Sequence, residues 1–200
     1  GGVLKRPTVI ISTIVGLLLV ASFAAVEAGI VAVFGDGGPT AGWVLATFAL
    51  GSLFGGLALG HIEIRPRSLT VRMLIVTVGM GLALFSMDFW WLSAMLFISG
   101  IGVAPALTVL FANVSATLKF SETAEAYAWI GSGQLIGVGV GSALAGLVID
   151  AFGPSAAIAL AALFAFTATV AALISLPWSP DLRNRDMSPI PDTEPVPIQY

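Results

Sequence analysis

Apolar residues run through this chain in long unbroken stretches, not in the alternation of a strand or the one-sided spacing of a surface helix. Residues 8–34 carry one charge, Glu27, and residues 69–87 carry one, Arg72. Residues 41–60, 89–118, 126–149 and 155–176 carry none. Each stretch is about long enough to cross the ~30 Å hydrocarbon core of a bilayer as a helix. Short polar breaks separate them: GDGGPT at 35–40, GHIEIRPRSLTVR at 60–72, a turn at 86–88, a charged loop at 119–125 and DAFGP at 150–154. The pattern predicts six spans, with residues 1–7 as a leader, 8–176 as the membrane bundle and 177–200 as an extended, disordered tail lacking any apolar period.

Two spans depart from the simple case. The third keeps only fifteen uncharged residues after Arg72, and is expected to be completed by that arginine snorkelling to the interface. The fourth, uncharged over thirty residues, would measure about 45 Å as one helix. Tilt, a kink at Pro105 or protrusion from the membrane is expected to absorb the excess. Ser121 or Thr123 is placed to N-cap the fifth span, with Glu122 and Glu125 complementing its dipole.

Composition makes the class firm. Of 200 residues, 58% are hydrophobic and only 10% charged, against roughly 25% charged in a soluble domain. The fold class expected is all-α, a polytopic membrane protein. The net charge of −3 includes no basic patch large enough for nucleic acid. There is no cysteine for disulfides or thiolate metal sites, and one histidine cannot build a zinc site. No phosphate-binding loop or metal-ligand cluster is present, so neither a cofactor nor an enzyme is expected.

Charge sets the orientation. With six spans, all eight Lys and Arg residues fall on one side: Lys5 and Arg6, then Arg65, Arg67 and Arg72, then Lys119, then Arg183 and Arg185. Cations collect in cytoplasmic loops, so both termini are expected in the cytoplasm and the protein in the plasma membrane. The basic start and the small residues near Ala24 and Ala25 also suit a signal peptide, but the apolar run continues well past any cleavage point. A glycine at position 1 suggests a fragment or a processed product.

Few residues in the spans can carry chemistry. Glu27 is the only acid well inside an apolar run, and an ionisable group at that depth is by default functional, facing a bundle interior or a wet cavity. A carboxyl taken out of water holds its proton more tightly, which suits a proton or cation carrier; the alternative is a carboxylate snorkelling to the headgroups. Gln134 and Asn113 are amides that either bind solute or bond a neighbouring helix. Asp150 reads as an interfacial turn residue, and His61, Arg65 and Arg67 as determinants of topology. Gly133, Gly137, Gly141 and Ala145 recur every fourth residue, as do Gly51 and Gly55, giving ridges on which another helix backbone can approach closely. Such a ridge serves static packing or a sliding seam. Ser132, within Gly-Ser-Gly, and His61 form a weak candidate for an intramembrane protease dyad, with no third group to orient the histidine.

Taken together, SFAAVEAGIVAVFG in the first span, FALGSLFGGLALG in the second, SGIGVAPALTVLFANVS in the fourth and ETAEAYAWIGSGQLIGVGVGSALAGLVIDAFGP across the fifth resemble the carboxyl-terminal six-helix half of a major facilitator superfamily transporter, bacterial exporter-like. The loop signature of that family survives only in part: Gly56 matches its glycine and Arg65 and Arg67 its basic end, while Gly60 and His61 replace its acidic and basic pair. The resemblance implies that Glu27 and residues 100–108, including Pro105 and Thr108, line a central cavity. It further implies that Gln134 and the glycine seams lie where two halves meet, and that the third and sixth spans face lipid. The function implied is secondary active transport of a small organic solute by alternating access, as proton-coupled export. Its partners are membrane lipid, the missing amino-terminal six-helix half, the solute and the coupling proton. The competing expectation is a non-transporting six-span scaffold or gating subunit.

Overall fold

Residues 2–35, 38–183 and 188–193 are described by a computed structural model, and the apolar runs in it are helices. Helix α1 spans Pro7–Phe34, α2 Thr40–Leu59, α3 Ser68–Ala83 and α4 Phe89–Ile101. Helix α5 spans Val103–Ser115, α6 Phe120–Phe152 and α7 Pro154–Ile174. Local chemistry sets the ends. Pro7 starts α1 where a missing N–H costs nothing. Asp88 caps α4 by accepting from the amides of Trp90 and Trp91 at 2.9 and 3.3 Å. Gly153, at φ 87°, turns the chain between α6 and α7 in a conformation that side chains avoid.

The fourth span is broken, and the break is at Gly102, not at Pro105. Proline at 105 has no N–H to donate to the Ile101 carbonyl and crowds it, so the helix opens one turn earlier. Tertiary packing selects the residue: a Cβ at Gly102 would strike the backbone carbonyl of Arg72 and the side chain of Val76 on α3. Counting α4 and α5 together, five helices among the described residues are long and apolar enough to cross a membrane, and α3, at sixteen residues, is the shorter sixth.

Helix α6 begins at Phe120, earlier than the charged loop suggested, because Thr123 and Ala126 are buried on its inner face. Lys119, in extended conformation, occupies the N-cap position. Neither Ser121 nor Thr123 caps the helix: Ser121 donates its hydroxyl to Asp192 at 2.6 Å, and Thr123 bonds back to the Lys119 carbonyl.

The packing repeats itself. Helix α1 lies mainly against α6 and α7, α2 against α4, and α3 against α4 and α7. In each triplet the second helix presents a glycine ridge to the first helix of the other triplet. Gly51 and Gly55 of α2 sit on the backbone of Phe97 and Ile101, and Gly133, Gly137 and Gly141 of α6 sit on Thr13, Leu17 and Ala21 of α1. The two three-helix units, α1–α2–α3 and the α4/α5 pair with α6 and α7, interlock through these ridges.

Arg72 does not snorkel. Its side chain is buried, with 5% exposure, and donates to the Pro105 carbonyl at 2.7 Å and the Leu59 carbonyl at 3.3 Å. It thus ties α3 to the C-terminal end of α2 and to the broken fourth span. Bonds from a charged donor contribute about 1.5–3 kcal/mol each. Arg72→Met is therefore expected to lower the melting temperature by several degrees, measured by tryptophan fluorescence in detergent, and Arg72→Lys to restore only part of it. An unchanged melting point for Arg72→Met would mean that the brace contributes nothing net.

All seven described cations lie at one end of the bundle, which also carries the described ends of the chain; Arg185 falls outside the described residues. Arg6 is 3.9 Å from Glu122. After α7 a 3₁₀ turn at Leu176–Trp178 redirects the chain. Leu182 is buried and donates its amide to Ile64 in the α2–α3 loop at 3.0 Å. Ile190 exchanges backbone bonds with Leu118 and Phe120 at 2.9 and 3.0 Å. The segment read as a disordered tail therefore rests, in its described parts, on both basic loops.

Candidate functional site

Helices α2 and α6 are the least covered of the bundle. Each buries one narrow stripe, Ala41, Val44, Gly51 and Gly55 on α2 and the line from Thr123 to Ala145 that holds the glycine ridge on α6, and turns a broad apolar face outward, with Leu53, Phe54 and Leu57 on α2 and Leu135, Ile136 and Leu147 on α6. The expectation that these glycine ridges lie where two halves meet is corrected. Gly51, Gly55, Gly133, Gly137 and Gly141 are buried inside this bundle, because a bare backbone is most useful where another backbone presses on it. On α6 the glycines with open space around them are Gly131, Gly139 and Gly146, on its outward side.

The polar candidates distribute around these two helices. Glu27 is exposed on α1, and among the described residues its carboxylate has neither hydrogen-bond nor ion-pair partner. It lies seven positions before Phe34, about 10 Å below the end of α1. Gln134 of α6 packs over Gly16 of α1, with its Nε2 buried and unpartnered. Gly16 and Glu27 are eleven positions apart, three turns, so the amide and the carboxyl lie along one edge of α1 about 16 Å apart. Thr13, half-buried on the same seam against Gly133, also leaves its buried hydroxyl unpartnered.

Thr108 is the exposed residue of α5, its hydroxyl bonded back to Ala104 at 2.9 Å. Ala104 touches Gly56 of α2, and Phe111 stacks edge-on against Tyr127 of α6 with centroids 5.1 Å apart. Thr108 thus emerges between α2 and α6. Pro105 does not line that opening: it is buried, and its carbonyl receives Arg72. Asn113 lies elsewhere, buried beside a small pocket that Thr8, Ser12, Leu69 and Trp178 also line, its Oδ1 unpartnered.

Thr13 and the Arg72 brace are not legible in the sequence. A threonine in an apolar run has no distinguishing neighbour, and a charge near a span end reads as snorkelling until the fold shows what covers it. His61, Arg65 and Arg67 are exposed in the α2–α3 loop, and Asp150 is exposed in the last turn of α6. The side chains of Ser132 and His61 make no hydrogen bond among the described residues, so nothing joins them as a dyad.

Residues 8–196 match the sequence profile of the Major Facilitator Superfamily, nearly the whole chain. The chain belongs to that superfamily. Curated proteins yield no match. Major facilitator proteins are membrane transporters and not enzymes, which removes the protease reading. The six spans, with the fourth broken, make up a half-bundle of a major facilitator transporter.

Proposed function

We propose that this major facilitator chain moves a small organic solute out of the cell in exchange for protons, working by alternating access against a second six-helix bundle. The observation that carries the reading is the open side itself: two poorly covered helices, α2 and α6, flank the opening from which Thr108 emerges, with Glu27 exposed on α1 and Gln134 at the α1–α6 edge. An exposed carboxylate some 10 Å inside a span is costly against lipid, by about 2.5–3.5 kcal/mol at the membrane centre, and cheap against a wet cavity. The outward apolar faces of α2 and α6 suit the partner bundle, and that of α7 suits lipid. The basic end, with both chain ends, faces the cytoplasm of the plasma membrane.

The chain contains no cysteine, so single cysteines report accessibility without background. Thr108→Cys is expected to react with a charged methanethiosulfonate in membranes, and Phe166→Cys, exposed on α7, to be protected by lipid. In everted vesicles with an acidified lumen, addition of the transported solute is expected to release protons, read by recovery of a quenched pH probe. Equal protection of the two cysteines would remove the cavity, and a solute that moves without proton release would remove the coupling.

A further inference from the structure

Between the C-terminal end of α2 and the start of α3, at the basic end, lies a cleft of about 230 Å³. We propose that it binds the phosphate headgroup of an anionic glycerophospholipid, with an acyl chain running up α3.

Three arginines supply the charge. Arg65 and Arg67 are exposed, and among the described residues their guanidinium groups have no acceptor or carboxylate partner. Arg72 forms the floor, held by the carbonyls of Pro105 and Leu59, with three of its five donors unused. The N terminus of α3 has no side-chain cap, so its amides add positive potential at the same mouth. The one acid in the loop, Glu63, does not line the cleft; its charge acts on Arg183, whose pKa is raised first by its hydrogen bond to Asp181. Guanidinium forks match phosphate oxygens two at a time.

The walls decide between a lipid and a free phosphate. Leu59, Ile62 and Ile75 give an apolar lining. Val71, at the mouth, continues into Leu74 and Val78, which share its face of α3 and are 54%, 50% and 45% exposed. That bare stripe leads from the cleft into the membrane, and inorganic phosphate gains nothing from it. A bound lipid would brace the α2–α3 loop, where Ile64 also receives the amide of Leu182. The inference rests on the membrane fold, not on the solute or the direction of transport.

The test is native mass spectrometry of the purified protein released from micelles containing phosphatidylglycerol or phosphatidylcholine. Phosphatidylglycerol adducts are expected to persist where phosphatidylcholine adducts dissociate. The double variant R65Q/R67Q, which leaves the Arg72 brace intact, is expected to bind phosphatidylglycerol about twenty-five-fold more weakly, about fivefold for each arginine. R65K/R67K is expected to retain part of the binding, and 10 mM inorganic phosphate to leave the adduct in place. Equal retention by R65Q/R67Q with an unchanged melting point, or no preference between the lipids, would overturn the site. Displacement by inorganic phosphate would overturn the lipid assignment. Each readout is independent of proton release, so failure here and failure of the transport reading are separable.

Discussion

Gly137→Leu is expected to prevent the bundle from forming its α1–α6 contact, seen as loss of a monodisperse peak and a melting temperature lowered beyond easy measurement. A Cβ at this position would run into the backbone carbonyl and Cα of Leu17, not into a side chain that can rotate away. Overpacking a core costs about 1–3 kcal/mol when side chains can adjust, and more when two helix backbones must separate. The control is two residues along the same helix: at Gly139 nothing lies within 4 Å of a Cβ. Gly139→Leu should leave the melting point unchanged or raise it slightly, since glycine in a helix interior costs about 1 kcal/mol relative to better helix formers. If Gly137→Leu behaves like Gly139→Leu, the seam is loose and the tight interlocking of the two triplets is wrong.

The second large effect is expected at Glu27. Glu27→Gln should reduce proton-driven transport at least about tenfold while leaving insertion, melting and solute counterflow at wild-type levels. Glutamine keeps the size and the hydrogen-bonding capacity of the side chain but cannot carry a proton, so loss of coupling with counterflow intact isolates proton carriage from folding. Glu27→Asp should retain part of the coupling. The exposed position of Glu27, with no internal partner among the described residues, is what makes the substitution structurally mild. Coupled transport at the wild-type rate in Glu27→Gln would reduce Glu27 to an interfacial anchor.

The distribution of glycines shows why some of the site was readable and some was not. A repeat of four along α6 announces a ridge, because residues four apart share a helix face. Which helix meets the ridge is a long-range fact: Gly133, Gly137 and Gly141 meet α1, more than a hundred residues earlier. The repeat therefore predicted close packing without saying where, and it was the family resemblance that misplaced the seam at the boundary between halves. Glu27 stood out for being alone in an apolar run, but its exposure became visible only when α6 was seen to cover α1 through Thr13, Leu17 and Ala21. Thr13 and Gln134 acquire meaning together, as unpartnered polar atoms on one seam.

The chain's own order of residues determined the class, the number of spans, the end at which the cations gather and the family, since each follows from local apolar length or from the residues themselves. The tertiary structure decided the break at Gly102, the burial of Arg72, the docking of Leu182 and Ile190 on the basic loops, and which face of each helix stays bare. The reason is physical. Insertion into a bilayer depends on how apolar a stretch of about twenty residues is, which neighbours in sequence supply. Inside lipid, helices gain little by hiding apolar surface from one another, so their arrangement depends on backbone approach and on polar atoms finding partners across the fold.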